Sequence, residues 1–398
     1  MIVNLMPSIS SRRCVLPVLS GLLGAVAVLG GCATSRPRAG VPPAMVAHRS
    51  ASTVSKLDNG MRIIVRPQPG TAVVALQLWI DVGSADESDA LAGAAHALEH
   101  MVFKGTERRG VGDIAREIES VGGDVNAWTS LDHTVFHVTM PARDWQRGLA
   151  VLADAVLNVK LDDEELRKEI EVILEEIKES DDSPASVAAH ELFALAFEHH
   201  PYRRPVIGWA ATVRRFRRAA LDRFLRRYYG PERMALVVVG EVDAARVQAR
   251  VARIFAAARP AAGSRPAQRG FRAAEPSQQQ LRVRVVQRPC REAQLALGFR
   301  IPELTAADSP ALDLAAVILG QGEGSWLVRR VKDEQQVVTD VAAYAYAPRD
   351  PGLLIVNAAS RPERVVEAAA AISEQLRLLA QTGPHARGAR ARPGPDRG

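Results

Sequence analysis

His96 and His100 stand four residues apart in Gly93-Ala94-Ala95-His96-Ala97-Leu98-Glu99-His100, and the apolar residues around them recur at helical spacing. On a helix, side chains at i and i+4 share one face about 5–6 Å apart, so both imidazoles can reach a single zinc ion. Glu99 lies near enough to bind a water at that ion and has no need to ligate it. H-x-x-E-H is the inversion of H-E-x-x-H, and both assemble the same parts for metal-assisted hydrolysis. With nine histidines in 398 residues, chance would supply the pattern only ~0.01 times.

Two histidines need a third ligand. Glu169 and Glu176 lie on one acidic stretch, about 20° apart around a helix axis at ~100° per residue. They flank an apolar stripe of Leu166, Ile170, Ile173, Leu174 and Ile177. A half-buried carboxylate pair is costly unless a cation or a donor compensates it. A zinc ion at one and an imidazole N–H at the other would do so. Spacing alone leaves open a plainer reading, a charged helix edge meeting water.

The elements that must position these groups follow from periodicity. Thr53–Leu57 and Met61–Pro67 form a hairpin about Asn59-Gly60, and Ala72–Val82 is a further strand. Gly93–Phe103, Gly112–Val121, Asp144–Asn158, Leu161–Ser180, Arg215–Tyr229 and Asp243–Ala256 read as helices, Val125–Met140 and Ala235–Gly240 as strands. Arg259–Ser277 is rich in Pro, Gly, Ala and Arg and reads as a linker. The order then restarts: strands Leu281–Gln287 and Gln294–Ile301, helices Ala311–Leu319 and Ser325–Glu334, strands Val341–Tyr346 and Leu353–Ala358, helix Arg364–Ala380. The expected fold class is α+β, with two related domains of antiparallel sheet and packed helices, the second incomplete. The expected boundaries are 53–258 for the first domain, 259–277 for the linker, 278–382 for the second domain and 383–398 for a disordered basic tail.

At this point the chain resembles a family. The run from Gly93 to Thr106 is similar to the zinc motif of the pitrilysin/insulinase (M16) metallopeptidases, which include mitochondrial processing peptidase and its bacterial relatives. Glu176, within Glu171–Ile177, falls where that family places its third ligand. The resemblance implies one zinc per chain on His96, His100 and Glu176, with Glu99 as general base and Glu169 supporting a ligand from behind. Asn126-Ala127-Trp128-Thr129-Ser130 resembles the family's active-site edge strand, on which substrate docks as an added strand. That implies substrate contacts at Asn126, Ala127 and Thr129. His200–Gly208 also fits, and the likeness runs from about Ser55 to Ala380, strongest in the first domain. The family's second domain often supplies an arginine and, seven residues on, a tyrosine over the zinc. Here Lys332 and Thr339 occupy those places. A homologous partner subunit carrying the pair is therefore implied. The competing class is a non-catalytic subunit of a larger assembly, against which the intact set of His96, Glu99, His100 and Glu176 argues.

The N-terminus reads as an address. Arg12-Arg13 precede an apolar run from Cys14 to Leu29, too short and wrongly flanked for a stable membrane span. Leu29-Gly30-Gly31-Cys32 resembles a bacterial lipobox, which implies a signal peptide over 1–31, a lipid on Cys32 and a flexible tether over 32–52. With no Asp after Cys32, the expected location is the outer membrane, facing the periplasm. Ordinary apolar (47%) and charged (24%) content excludes disorder throughout. Arg12, Arg13 and the tail arginines account for most of the formal net charge of +6, so the body does not advertise nucleic acid. The arginines of Arg214–Arg227 read as the solvated face of a helix. His133 and His137 would stand about 13 Å apart on a strand and cannot share a metal. His199-His200 reads as loop, and Gly320–Gly324, following a helix, as a turn. Cys290 reads as a small buried strand residue.

Overall fold

The computed structural model describes residues 51–261 and 272–383. The expected signal segment, Cys32, nearly all of the tether, most of the linker and the tail beyond Gly383 lie outside the described residues. Chain order runs β1 (Thr53–Lys56), β2 (Arg62–Pro67), β3 (Val73–Ile80), α1 (Ala94–Val102), α2 (Asp113–Glu119), β4 (Asp124–Thr129), β5 (Thr134–Pro141) and α3 (Trp145–Leu157). It continues α4 (Asp163–Asp182), α5 (Pro184–Ala196), α6 (Ala210–Val213), α7 (Arg218–Tyr228), β6 (Met234–Gly240) and α8 (Ala244–Phe255). The second half contributes β7 (Ala293–Ile301), α9 (Ser309–Gly320), a π-helical turn (Val328–Glu334), β8 (Asp340–Tyr346), β9 (Gly352–Ser360) and α10 (Val365–Thr382).

The first sheet has six strands in the order β1-β2-β6-β3-β5-β4. It is mixed: β2 pairs parallel with β6, and the other pairs are antiparallel. Its alternation is visible residue by residue. Leu76, Leu78 and Ile80 of β3 and Leu236 and Val238 of β6 are fully buried under the helices, while their neighbours stay partly exposed. Each such side chain contributes about 1.5–3 kcal/mol of burial. The second sheet, β7-β9-β8, is antiparallel. It repeats the arrangement β3-β5-β4: in each, the last strand of the three lies in the middle, with helical structure between the first two. The two halves are related units. Their cores meet through α5, whose Ala189, Leu192 and Phe193 pack with Leu295, Leu327 and Ile355.

Four expectations need correction. Val125–Met140 is not one strand, because Ser130–His133 turn the chain back and split it into β4 and β5. Leu281–Gln287 joins no sheet, since no described strand lies beside it. Cys290, just beyond it, is therefore exposed. Ser325–Glu334 is mostly a π-helical turn, a geometry that spacing does not reveal. Helix α5 was not anticipated, although Ser183-Pro184 marks its start: Ser183 caps the amide of Ser186 and Pro184 fills the first turn.

Candidate metal centre

The site is built where α1 crosses α4. Helix α1 buries Ala94, Ala95, Ala97, Leu98, Met101 and Val102 against the core. Small residues on that face let the helix lie close to its neighbours, and the opposite face carries His96, Glu99 and His100. Helix α4 starts with Asp162 capping the amides of Glu164 and Glu165. It buries Leu166, Ile170, Ile173 and Ile177, and Glu169 with them.

Packing the two helices brings His96, His100 and Glu176 together, with donor atoms all within 4.8 Å of one another. Glu176 Oε2 stands 3.8 Å from His96 Nε2 and 3.7 Å from His100 Nε2. Ligand atoms on a tetrahedral zinc with bonds of about 2.0–2.1 Å sit about 3.3 Å apart, so a small contraction would seat the ion. Two imidazoles and a carboxylate, with a further position left for water, form the donor set of a catalytic rather than a closed structural zinc. Among the described residues this is the one such metal-holding group.

The surroundings prepare each donor. Burial, reinforced by the neighbouring His100, pushes His96 down to about 3, so its ring stays neutral and able to ligate. Burial works against a charged His100 as well. The hydrogen bond that the ring donates to Glu169 and the facing carboxylates of Glu176 and Glu99 outweigh it and hold that ring's pKa up. Glu169 Oε2 lies 3.1 Å from His100 Nδ1, which fixes the ring with Nε2 turned toward Glu176. Burial would raise Glu169, yet His100 and Lys104 together lower it. The Lys104 ammonium lies 2.7 Å from Glu169 Oε1, so this buried carboxylate is ionised and paired on both oxygens. Glu176 is raised by burial and by the nearby Glu169 and Glu179, against the pull of His100.

Glu99 shares this face but stands outside the three-donor group. Its Oε2 accepts the hydroxyl of Thr129 from β4. Burial holds its carboxyl above the ordinary range despite that bond and the nearby His100. Thr129, expected as a substrate contact, thus spends its hydroxyl on Glu99. Ala127, two residues back, faces the same side, while Asn126 is exposed and its Oδ1 accepts the amide of Ala127. Among the described residues β4 pairs only with β5, so no described strand covers its outer edge beside Glu99.

The family profile described as "Insulinase (Peptidase family M16)" matches residues 62–209, and that described as "Peptidase M16 inactive domain" matches 215–387. An uncharacterized zinc protease of Mycobacterium tuberculosis is 33% identical over 343 residues, spanning 86% of this chain and 77% of the relative. The chain belongs to peptidase family M16. A "probable mitochondrial-processing peptidase subunit beta" of Arabidopsis thaliana is 30% identical over 343 residues, covering 82% of this chain and 63% of that protein. The crystal structure of a protease from Helicobacter pylori superposes with a TM-score of 0.79 at 26% identity, covering 84% of this chain and 80% of that one.

Two groups of this M16 site escaped sequence reasoning. Lys104 falls within the run from Gly93 to Thr106, where no spacing gives it a role. Glu87 lies outside the motif, six residues before Gly93, and no local pattern announces it. Its carboxyl oxygens accept the amides of Gly93 at 2.9 Å and Ala95 at 2.7 Å, closing the first turn of α1. Behind it, Arg204 donates to the carbonyls of Ser84 and Glu87, and the backbone of Gly93 abuts Ile207 and Gly208. Both glycines have positive φ, and a Cβ on either would strike the other's segment. This explains why His200–Gly208 belongs with the metal helix: it anchors the loop from which that helix starts.

Burial pushes Glu87 up to about 8, against the two amides and Arg204, from an ordinary 4.5. A raised carboxyl pKa stabilises the fold fully below pH 4.5 and loses that contribution as pH climbs through 8. Between those limits the metal-free chain should therefore lose stability relative to its Glu87→Gln variant. Denaturant titrations at several pH values in chelator would show it. Parallel curves for the two chains would mean that Glu87 is not perturbed in this way.

Proposed function

We propose that the chain is a zinc-dependent metalloendopeptidase acting on peptides or unfolded protein segments. One observation carries this reading: His96, His100 and Glu176 converge within 4.8 Å while Glu99, on the same face, is held apart from them by Thr129. Zinc bound to the three donors would supply Lewis acidity toward a scissile carbonyl and toward water. The remaining work falls to the chain's own side chains. With Oε2 engaged by Thr129, Glu99 has Oε1 to take a proton from the attacking water. Its raised pKa suits it to pass that proton to the leaving amine. Glu169 and Lys104 keep the His100 ring from rotating. The free edge of β4 offers backbone groups to an extended peptide, with Asn126 and Ala127 as contacts, and Thr129 ties that edge to Glu99. Hydrolysis of a quenched peptide should disappear on chelation and return with zinc. Activity surviving complete metal removal would contradict the reading.

We further propose that a homologous subunit completes the site. Lys332 faces Asp340 at 3.8 Å, and the Thr339 hydroxyl donates to the carbonyl of Ala359 at 3.2 Å. Both are engaged within their own half, and neither is the arginine or tyrosine that the family often places over the metal. A wholly non-catalytic role is disfavoured because it leaves Glu99 and its Thr129 bond without purpose.

The lipobox-like Leu29–Cys32 supports a lipid anchor on Cys32 in the cell envelope, facing the periplasm from the outer membrane. No described helix is long and apolar enough to cross a membrane. Cys32→Ser should shift the protein from the membrane pellet to the soluble periplasmic fraction. Unchanged sedimentation would place the anchor elsewhere.

A further inference from the structure

Glu99 is held between two pieces of chain. Its own helix starts from the loop Gly83–Glu87, whose Glu87 accepts the amides of Gly93 and Ala95. Its partner Thr129 ends β4, next to the turn Ser130–His133 that leads into β5. The loop and the turn lie directly against each other. The amide of Ser84 donates to the carbonyl of Ser130 at 3.1 Å, and that of Ala85 to the carbonyl of Leu131 at 2.8 Å. A Cβ on Gly83 would stand 2.5 Å from backbone atoms of Leu131 and Ser130, so only glycine permits this approach.

A side chain from beyond the first domain closes this joint. Arg272 lies in the stretch whose composition reads as a linker, yet its side chain is only 10% exposed. Its Nη2 donates to Asp86 of the loop at 3.1 Å, and its Nη1 donates to Asp132 of the turn. Nη1 also donates to Asp350 at 2.7 Å, in the turn between β8 and β9. The Tyr202 hydroxyl donates to Asp132 at 3.0 Å and accepts the amide of Asp350 at 3.1 Å. The neighbouring Arg349 gives its amide to Asp132 at 2.8 Å and its guanidinium to Asp81. Carboxylates from the loop, the turn and the second half thus meet on one guanidinium, whose planar fork serves several acceptors at fixed angles. Burial would raise Asp132, yet Arg272 and its other donors hold it below the ordinary carboxylate range. Burial keeps Asp86 above that range against the pull of the same arginine.

We propose that Arg272 is a positioning residue for Glu99, and that through Asp350 the second half of the chain sets the alignment of the base. Arg272 fixes the loop that starts α1 relative to the turn that follows β4. The bond between Glu99 and Thr129 spans the same two elements, so it keeps its geometry only while that joint is closed. Moving the second half away would take Asp350 and the Arg349 amide with it and leave Arg272 with Asp86 and Asp132 alone. A small displacement at such a distance from the reacting atoms is enough to slow a positioned proton transfer. The inference rests on the reading of Glu99 as general base and adds what keeps that base in place.

Arg272→Gln and the milder Asp350→Ala are compared with the parent in the zinc-loaded full chain, by hydrogen exchange and by hydrolysis of a quenched peptide. Asp350→Ala, in a partly exposed turn, carries the test should Arg272→Gln fold poorly. Exchange at Ser84, Ala85, Gly93 and Ala95 should speed up by about tenfold or more, while the amides of β6 stay protected. In Arg272→Gln kcat should fall by about 10- to 100-fold, and less in Asp350→Ala, with KM and zinc content near those of the parent. Added to Thr129→Val, Arg272→Gln should cost less than about twofold more, because the bond it steadies is already gone. Unchanged exchange at Gly93 and Ala95, an unchanged kcat, a loss confined to KM, or losses of Arg272→Gln and Thr129→Val that multiply in full would each overturn the proposal and leave Glu99 as the base. Hydrolysis that survives in Glu99→Gln would instead overturn the reading of the base, and the proposal with it.

Discussion

Glu99→Gln will bind zinc like the parent chain and lose peptide hydrolysis by about 10²–10⁴-fold, the usual worth of a positioned general base. The amide matches the carboxylate in size and can still accept from Thr129, so the contact between α1 and β4 survives. What it cannot do is take a proton from water. The loss should therefore fall on kcat with little change in KM. A variant that kept most of its activity would remove Glu99 from the chemistry. A variant that lost its metal as well would make Glu99 part of the zinc site rather than the base beside it.

The second large effect concerns the other side of the site. The chain alone should bind zinc and cleave poorly. A homologous subunit that lacks H-x-x-E-H but carries the spaced arginine and tyrosine should raise its activity by about 10²–10³-fold, the worth of one donor to a developing oxyanion. Neither Lys332, facing Asp340, nor Thr339, bonded to Ala359, offers a phenol or a guanidinium. The experiment titrates the partner into a fixed amount of purified chain. Full activity from a demonstrated monomer, indifferent to the partner, would show that the first domain needs no such donor.

Much of the metal centre was legible because its parts are local. The i,i+4 histidines and the acidic helix with its apolar stripe each announce themselves within a few turns, and α1 and α4 lie within two residues of where periodicity puts them. That α1 and α4 cross so as to bring Glu176 to both imidazoles is a tertiary fact. From spacing alone, Glu169 and Glu176 could as well have been a wet helix edge. Glu87 was invisible for the same reason: a carboxylate that caps a helix from six residues upstream, across an irregular loop, leaves no period to detect. Thr129 was noticed, but its occupation by Glu99 depends on how β4 lies against α1. Leu281–Gln287 shows the opposite limit. Its alternation is real, yet alternation reports only that a stretch suits a sheet, and a strand exists only where a neighbour accepts its hydrogen bonds. Cys290 followed it into solvent.

The most direct test of the metal centre is the zinc content of purified chains by mass spectrometry, comparing the parent, Glu99→Gln, Glu176→Gln and Glu169→Gln. Near one zinc per chain is expected in the parent and in Glu99→Gln, near none in Glu176→Gln, and a weakened but detectable occupancy in Glu169→Gln, because Glu169 only steadies His100. Full zinc in Glu176→Gln, with loss in Glu169→Gln instead, would contradict the assignment and move the third ligand seven residues back along the same helix.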